Sequence, residues 1–117
     1  MRSDILRGDI WWVDWSPGRG SEQVGVRPAL VVQTDLANRN PRYPNTMVVA
    51  VSTKGRGDAP SHVRLLPSTE NGLTKTSFVK CEQMQTIDKG RLGRRLGSVS
   101  ESDLDRVNSA LRAVLSL

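Results

Sequence analysis

Along this 117-residue chain, short runs of apolar residues alternate with stretches rich in Gly, Pro, Asn and Ser, the rhythm of strands joined by turns. Residues 10–15 put Trp11, Val13 and Trp15 on one face at period two and predict a first strand. Ser16, Pro17, Gly18 and Gly20 then break the pattern into a loop that reaches Gln23. Residues 29–33 form a short apolar run, a buried strand, after which Asp35 is a candidate cap for a brief helix through Asn38. A turn-rich stretch around Pro41 and Pro44 leads into residues 46–53, whose β-branched content predicts a central strand. The glycine-rich basic segment 54–60 is a second loop, and β character resumes over 62–66. After a turn at 67–72, residues 77–84 alternate as a strand that 85–87 extend or follow, and 89–95 read as a basic turn. Ser100 stands before Glu101 and Asp103 as an N-cap, and Leu104, Val107, Leu111, Val114 and Leu115 make one apolar stripe over 101–115, a terminal helix. Five or more short strands closed by one helix describe an α+β fold, a small β-barrel-like domain spanning residues 1–117 as a single unit.

Composition narrows the function. The apolar fraction is 37%, enough for one small core but not two. The longest apolar run, residues 47–51, is far below the roughly 20 residues that cross a bilayer. The first residues contain Asp4 and lead into no apolar signal region, so the expectation is a cytoplasmic protein without membrane attachment. Seventeen Lys and Arg against twelve Asp and Glu leave a net charge of +5, which favours a polyanion as partner, with an acidic protein or plain solubility as the alternatives. Cys81 is the sole cysteine and His62 the sole histidine. Together they cannot make an internal disulfide, a four-ligand zinc site, or the two-imidazole acid–base pair of some ribonucleases within one subunit. The carboxylates are scattered rather than clustered for a two-metal site. Any phosphodiester chemistry is therefore expected to need no metal and no cofactor.

Four segments in order, Arg7-Gly8-Asp9-Ile10-Trp11, Gly20-Ser21-Glu22-Gln23 with Gly25-Val26-Arg27-Pro28, Ser52-Thr53, and Glu82-Gln83 followed by Thr86-Ile87-Asp88, resemble the MazF/PemK (CcdB-like) toxin family over nearly the whole chain. The resemblance implies an SH3-like β-barrel with a C-terminal α-helix and a homodimer. It also implies a toxin of a toxin–antitoxin system, a sequence-specific endoribonuclease that cuts single-stranded mRNA and is held inactive by a cognate acidic, MazE-like antitoxin. Arg27 and Thr53 are the positions it makes catalytic. Ser21, Glu22, Gln23, Asn38, Lys54 and Gln83 match or adjoin those that contact RNA.

These residue types suit the chemistry. An RNA 2′-hydroxyl can attack its neighbouring phosphate if the site stabilises one extra negative charge and manages the protons. A guanidinium presents a fork of donors to phosphate oxygens, and a threonine hydroxyl adds another. Arginine stays protonated, so its role is electrostatic rather than proton transfer. Glu22 is the loop carboxylate available to accept a proton or orient Arg27, and the residue before Arg27 is Val26, which supplies no ionisable group. Gln83 can read a base edge or simply be an exposed strand amide. Lys54 with Arg56 can serve the substrate or be a solvated charge pair. The three tryptophans are expected in the core rather than stacked on bases, His62 is read as structural, and Cys81 as packed. Two rival functions share the fold: a toxin that poisons a topoisomerase, and a non-catalytic nucleic-acid-binding barrel.

Overall fold

The computed structural model describes residues 4–15 and 25–117. The elements are β1 (Asp9–Asp14), β2 (Val26–Val31), α1 (Asp35–Asn38), β3 (Asn45–Ser52), β4 (His62–Leu65), β5 (Ser77–Asp88), a 3-10 turn (Lys89–Arg91), β6 (Leu92–Ser98) and α2 (Glu101–Leu115). The strands form one sheet in the order β4-β5-β3-β2-β1-β6, with every neighbouring pair antiparallel.

Both faces of the central strands are buried, which is why β2 and β3 show apolar runs rather than clean alternation. One layer gathers Ile10, Leu30, Val49, Val51, Val79 and Cys81 under Val107 and Ala110 of α2. The other holds Trp11, Val13, Trp15, Ala29, Val31, Val48, Ala50, Ile87 and Leu92. Helix α2 packs on β4 and β5. A six-stranded antiparallel sheet with a C-terminal helix is the α+β arrangement that the strand pattern predicts. Each fully buried Val or Leu contributes about 1.5–3 kcal/mol relative to exposure. Ser100 caps α2 as expected, its hydroxyl accepting from the Asp103 N–H at 3.1 Å. Leu115, counted in the apolar stripe, lies in the last turn and is exposed.

Three expectations change. Residues 89–95 are not one basic turn: the turn is confined to Lys89–Arg91, where the Asp88 carboxylate accepts from the Gly90 N–H. The chain then enters β6, whose charged Arg94 and Arg95 mask its strand character while Leu92 and Gly97 are buried. Strand β2 begins at Val26 rather than residue 29. Asp35 does not cap α1: Thr34 occupies that position without a side-chain cap, and the Asp35 carboxylate instead accepts from the Arg7 N–H at 2.7 Å.

Much of the family-like Arg7-Gly8-Asp9 segment is framework. The Arg7 side chain donates to the Val32 carbonyl at 2.9 Å and to the Asn108 amide oxygen. Gly8 adopts a φ of 95°, a backbone conformation open to glycine. Asp9, buried, accepts from the Leu6 N–H at 3.0 Å and pairs with Arg95 at 3.3 Å.

Candidate functional site

The site originates in a break between two strands. Strand β2 pairs with β1 from Val26 onward, but its pairing with β3 begins only at Ala29, opposite Ala50. Pro28 has no N–H to give a ladder, and beyond it the two strands part. Arg27 and Pro28 on one side and Val51, Ser52, Thr53 and Lys54 on the other become the walls of a groove of about 630 Å³. The Ser52 hydroxyl accepts from the Lys54 N–H at 3.1 Å, folding the chain sharply where Thr53 leaves β3. On the Arg27 side, the Trp15 indole N–H donates to the Arg27 carbonyl at 3.3 Å.

The opposite wall is the turn that precedes β5. Gly72, Leu73, Thr74 and Lys75 line it. Asn71, buried, builds that turn: its amide oxygen accepts from the Ser68 and Leu73 N–H groups at 3.0 and 2.9 Å, and its amide nitrogen donates to the Leu66 carbonyl at 2.9 Å. The turn lies hard against β6. A Cβ on Gly72 would overlap the Leu96 carbonyl, and one on Gly97 would overlap the Glu70 carbonyl, so both positions require glycine.

Arg27, Lys54, Lys75, Lys80 and Arg94 all line the groove, and among the described residues no Asp or Glu does. Among the described residues, none of the ion pairs involves any of these cations. A cleft lined by one sign of charge focuses the field on a polyanion and favours phosphates over other partners. Trp12, half-buried, adds an aromatic surface beside Arg27 and Arg94, suited to base stacking.

Of the residues expected from the sequence, Arg27, Thr53 and Lys54 share this groove. Asn38 does not line it. That residue is 6% exposed, and its amide bonds Gln33, Thr46 and Asp35, closing a buried polar cluster. Gln83 is half-buried on β5 and also lies off the groove lining. Ser21, Glu22 and Gln23 lie outside the described residues. Trp12, Lys75, Lys80 and Arg94 line the groove in addition to the residues that the resemblance implies. Of the three tryptophans expected in the core, Trp11 and Trp15 are buried there, whereas Trp12, out of phase with them at period two, faces the groove. That alternation was the available signal.

Cys81, in the core, has its thiol pushed up to about 11 by burial, with the Glu82 charge adding to it, so it is a packing residue rather than a nucleophile. A second hollow, about 670 Å³ and bordered by Arg7, Asp35, Leu36 and Arg39, holds none of the groove residues. Its Arg7 is committed to the framework and its Asp35 repels anions. Among the described residues no three His, Cys, Asp or Glu side chains come together as a metal site, and no helix is long and apolar enough to cross a membrane.

The family model for PemK-like, MazF-like toxins of type II toxin–antitoxin systems matches residues 6–115. The chain belongs to that family. Its relatives include an endoribonuclease MazF of Staphylococcus epidermidis, 41% identical over 97% of this chain and 92% of the relative. Endoribonuclease EndoA of Bacillus subtilis is 37% identical over 97% of this chain and 96% of its own length. Among solved structures, an endoribonuclease in complex with its cognate antitoxin from a mycobacterial species superposes with a TM-score of 0.79 at 28% identity, covering 97% of this chain and 96% of that one. The groove, which brings Arg27 and Thr53 together with four further cations, is the candidate site.

Proposed function

We propose that this chain is the toxin of a type II pair and a sequence-specific, metal-independent endoribonuclease that cuts single-stranded mRNA. The observation that carries the proposal is the convergence of Arg27 and Thr53 on one groove whose lining cations, among the described residues, meet no carboxylate. Relatives and a structural neighbour described as endoribonucleases support it.

In this reading a scissile phosphate sits between Arg27 and Thr53. The RNA 2′-oxygen attacks phosphorus and loses its proton, and the 5′-oxygen of the next nucleotide leaves and gains one. The products are a 2′,3′-cyclic phosphate and a 5′-hydroxyl. Arg27 offers its donor fork to the charge that builds on the non-bridging oxygens, and the Thr53 hydroxyl donates to the same phosphate. Lys54, Lys75, Lys80 and Arg94 hold flanking phosphates by charge. Glu22, the carboxylate of the loop that precedes Arg27, is the candidate proton acceptor. Ser21 and Gln23 of the same loop, with Gln83, are candidate base contacts.

The same basic groove suits an acidic antitoxin segment that orders as it binds. Cytoplasmic location and a homodimer complete the proposal, and light scattering measures the subunit count. The deciding experiment incubates purified protein with a long labelled transcript and excess chelator. Discrete, sequence-dependent cuts ending in cyclic phosphate are expected. RNA that is bound in a salt-dependent way yet stays intact points instead to a non-catalytic binding barrel.

A further inference from the structure

Segment 54–60, which follows Thr53, has little apolar material with which to hold a shape. Residues 53–58 are all exposed, and Gly55 and Gly57 loosen the backbone further. What fixes the segment is polar and local. The Ala59 N–H donates to the Arg56 carbonyl at 3.2 Å and the His62 N–H to the Ala59 carbonyl at 3.1 Å. Gly55 lies so close to the Phe78 ring that a Cβ would overlap it. The contact that closes the loop onto the sheet is the Arg56 N–H, which donates to His62 Nδ1 at 3.0 Å.

With Nδ1 accepting from the Arg56 N–H, the ring N–H is the Nε2 one, and Nε2 lies 2.8 Å from the Glu82 carboxylate. One nitrogen holds the loop and the other is held by β5. The His62 side chain is 10% exposed, against 42% for Glu82, so the ring is the shielded member of the pair. Glu82 reaches it because β5 bulges there. Its register on β3 shifts between the Val49–Met84 and Ala50–Lys80 pairs, and such bulges re-aim side chains. The same segment carries Lys80, which pairs with His62 across β4 and β5 and lines the groove.

We propose that the His62–Glu82 pair fastens the 54–60 loop in the geometry that presents Thr53 and Lys54 to the groove, making His62 a positioning residue for RNA cleavage. This rests on the ribonuclease reading. His62 touches no substrate; it acts through the Arg56 backbone on Thr53 and Lys54.

The test uses the full chain and an oligonucleotide spanning one site mapped on the long transcript. His62→Ala is expected to lower kcat roughly 10- to 100-fold, the scale on which slight misplacement of reacting groups acts, with a smaller change in KM. His62→Asn restores an acceptor at the Nδ1 position and should recover most of the loss. Glu82→Gln, still able to accept from Nε2–H, should stay within about 2-fold of wild type, whereas Glu82→Ala should fall between wild type and His62→Ala. In parallel, the Arg56 amide should be protected from hydrogen exchange in wild type, exposed in His62→Ala and protected again in His62→Asn. Unchanged kcat in His62→Ala, or an asparagine variant as slow as the alanine one with both folded, overturns the proposal. If His62→Ala does not fold, Glu82→Ala at wild-type kcat does so. A wild-type protein that leaves RNA intact removes the ribonuclease reading itself, while Arg56 exchange still decides whether the fastening exists.

Discussion

Two polar regions of this molecule draw on similar residue types and do opposite things. At the corner built from Arg7, Asp9, Asp35 and Asn38, donors and acceptors are matched internally: Arg7 to Val32 and Asn108, Asp9 to Leu6 and Arg95, Asn38 to Gln33, Thr46 and Asp35. Lys89 joins them by donating from Nζ to the carbonyls of Ala37, Asn38 and Asn40 at 3.0–3.3 Å. At the groove, Arg27, Lys54, Lys75, Lys80 and Arg94 face a common space and enter none of the ion pairs among the described residues. A polar group with saturated partners specifies the fold, because losing one partner strands the others in a buried setting. A set of like charges that the fold leaves unneutralised is mutually repulsive and is relieved only by a ligand of opposite sign.

The sharpest way to break this contrast is to remove one residue from each region. Arg27→Ala should reduce cleavage about 10³-fold, the loss typical of an essential charge-stabilising donor, while the melting temperature stays within about 3 °C of wild type, as for an exposed substitution. Equal losses of activity and stability would place Arg27 in the framework instead. Asn38→Ala should behave inversely. Stranding Gln33 and Thr46 should cost about 2–3 kcal/mol in urea unfolding, while the folded protein cleaves RNA within a few-fold of wild type. A selective loss of RNA affinity in that variant would return Asn38 to the site.

Smaller effects sharpen the comparison within the aromatic residues and the core. Trp12→Ala should weaken binding of single-stranded RNA by about 1–2 kcal/mol if a base stacks there, measured by fluorescence anisotropy at fixed salt. A variant that binds normally but melts early would assign Trp12 to packing. The smallest effect concerns Cys81. Its thiol is held up at about 11 from 9.0, so the unfolded chain releases this proton first as pH rises. The contribution is intact below about pH 9 and declines toward pH 11, amounting to about 1.4 kcal/mol at pH 10. Cys81→Ala should show a shallower fall in stability over that window, and identical slopes for both proteins would refute the assignment.

Strong periodicity was legible along the chain. The stripe of α2, its Ser100 cap, and the apolar runs of β2 and β3 follow from residue type and spacing alone, because burial on these faces leaves few alternatives. Strand β6 was not legible: Arg94 and Arg95 occupy its outward positions, and the pairing with β1 that makes it a strand joins residues far apart in sequence. Arg27, Thr53 and Lys54 were found through a resemblance carried by ordered motifs. Lys75, Lys80 and Arg94 match no motif, and their relevance arises only from sharing a wall.

Residue order thus determined a small α+β domain, its excess of positive charge, and the arginine and threonine suited to phosphate chemistry. Tertiary structure decided which polar residues became framework and which became surface for a ligand. It placed Asn38 in a buried cluster, brought Lys75, Lys80 and Arg94 to the wall that Trp12 faces, and opened a groove where Pro28 ends the pairing of β2 with β3. The reason is that hydrogen-bond satisfaction and charge convergence are properties of neighbours in space, and a one-dimensional pattern records neighbours only along the chain.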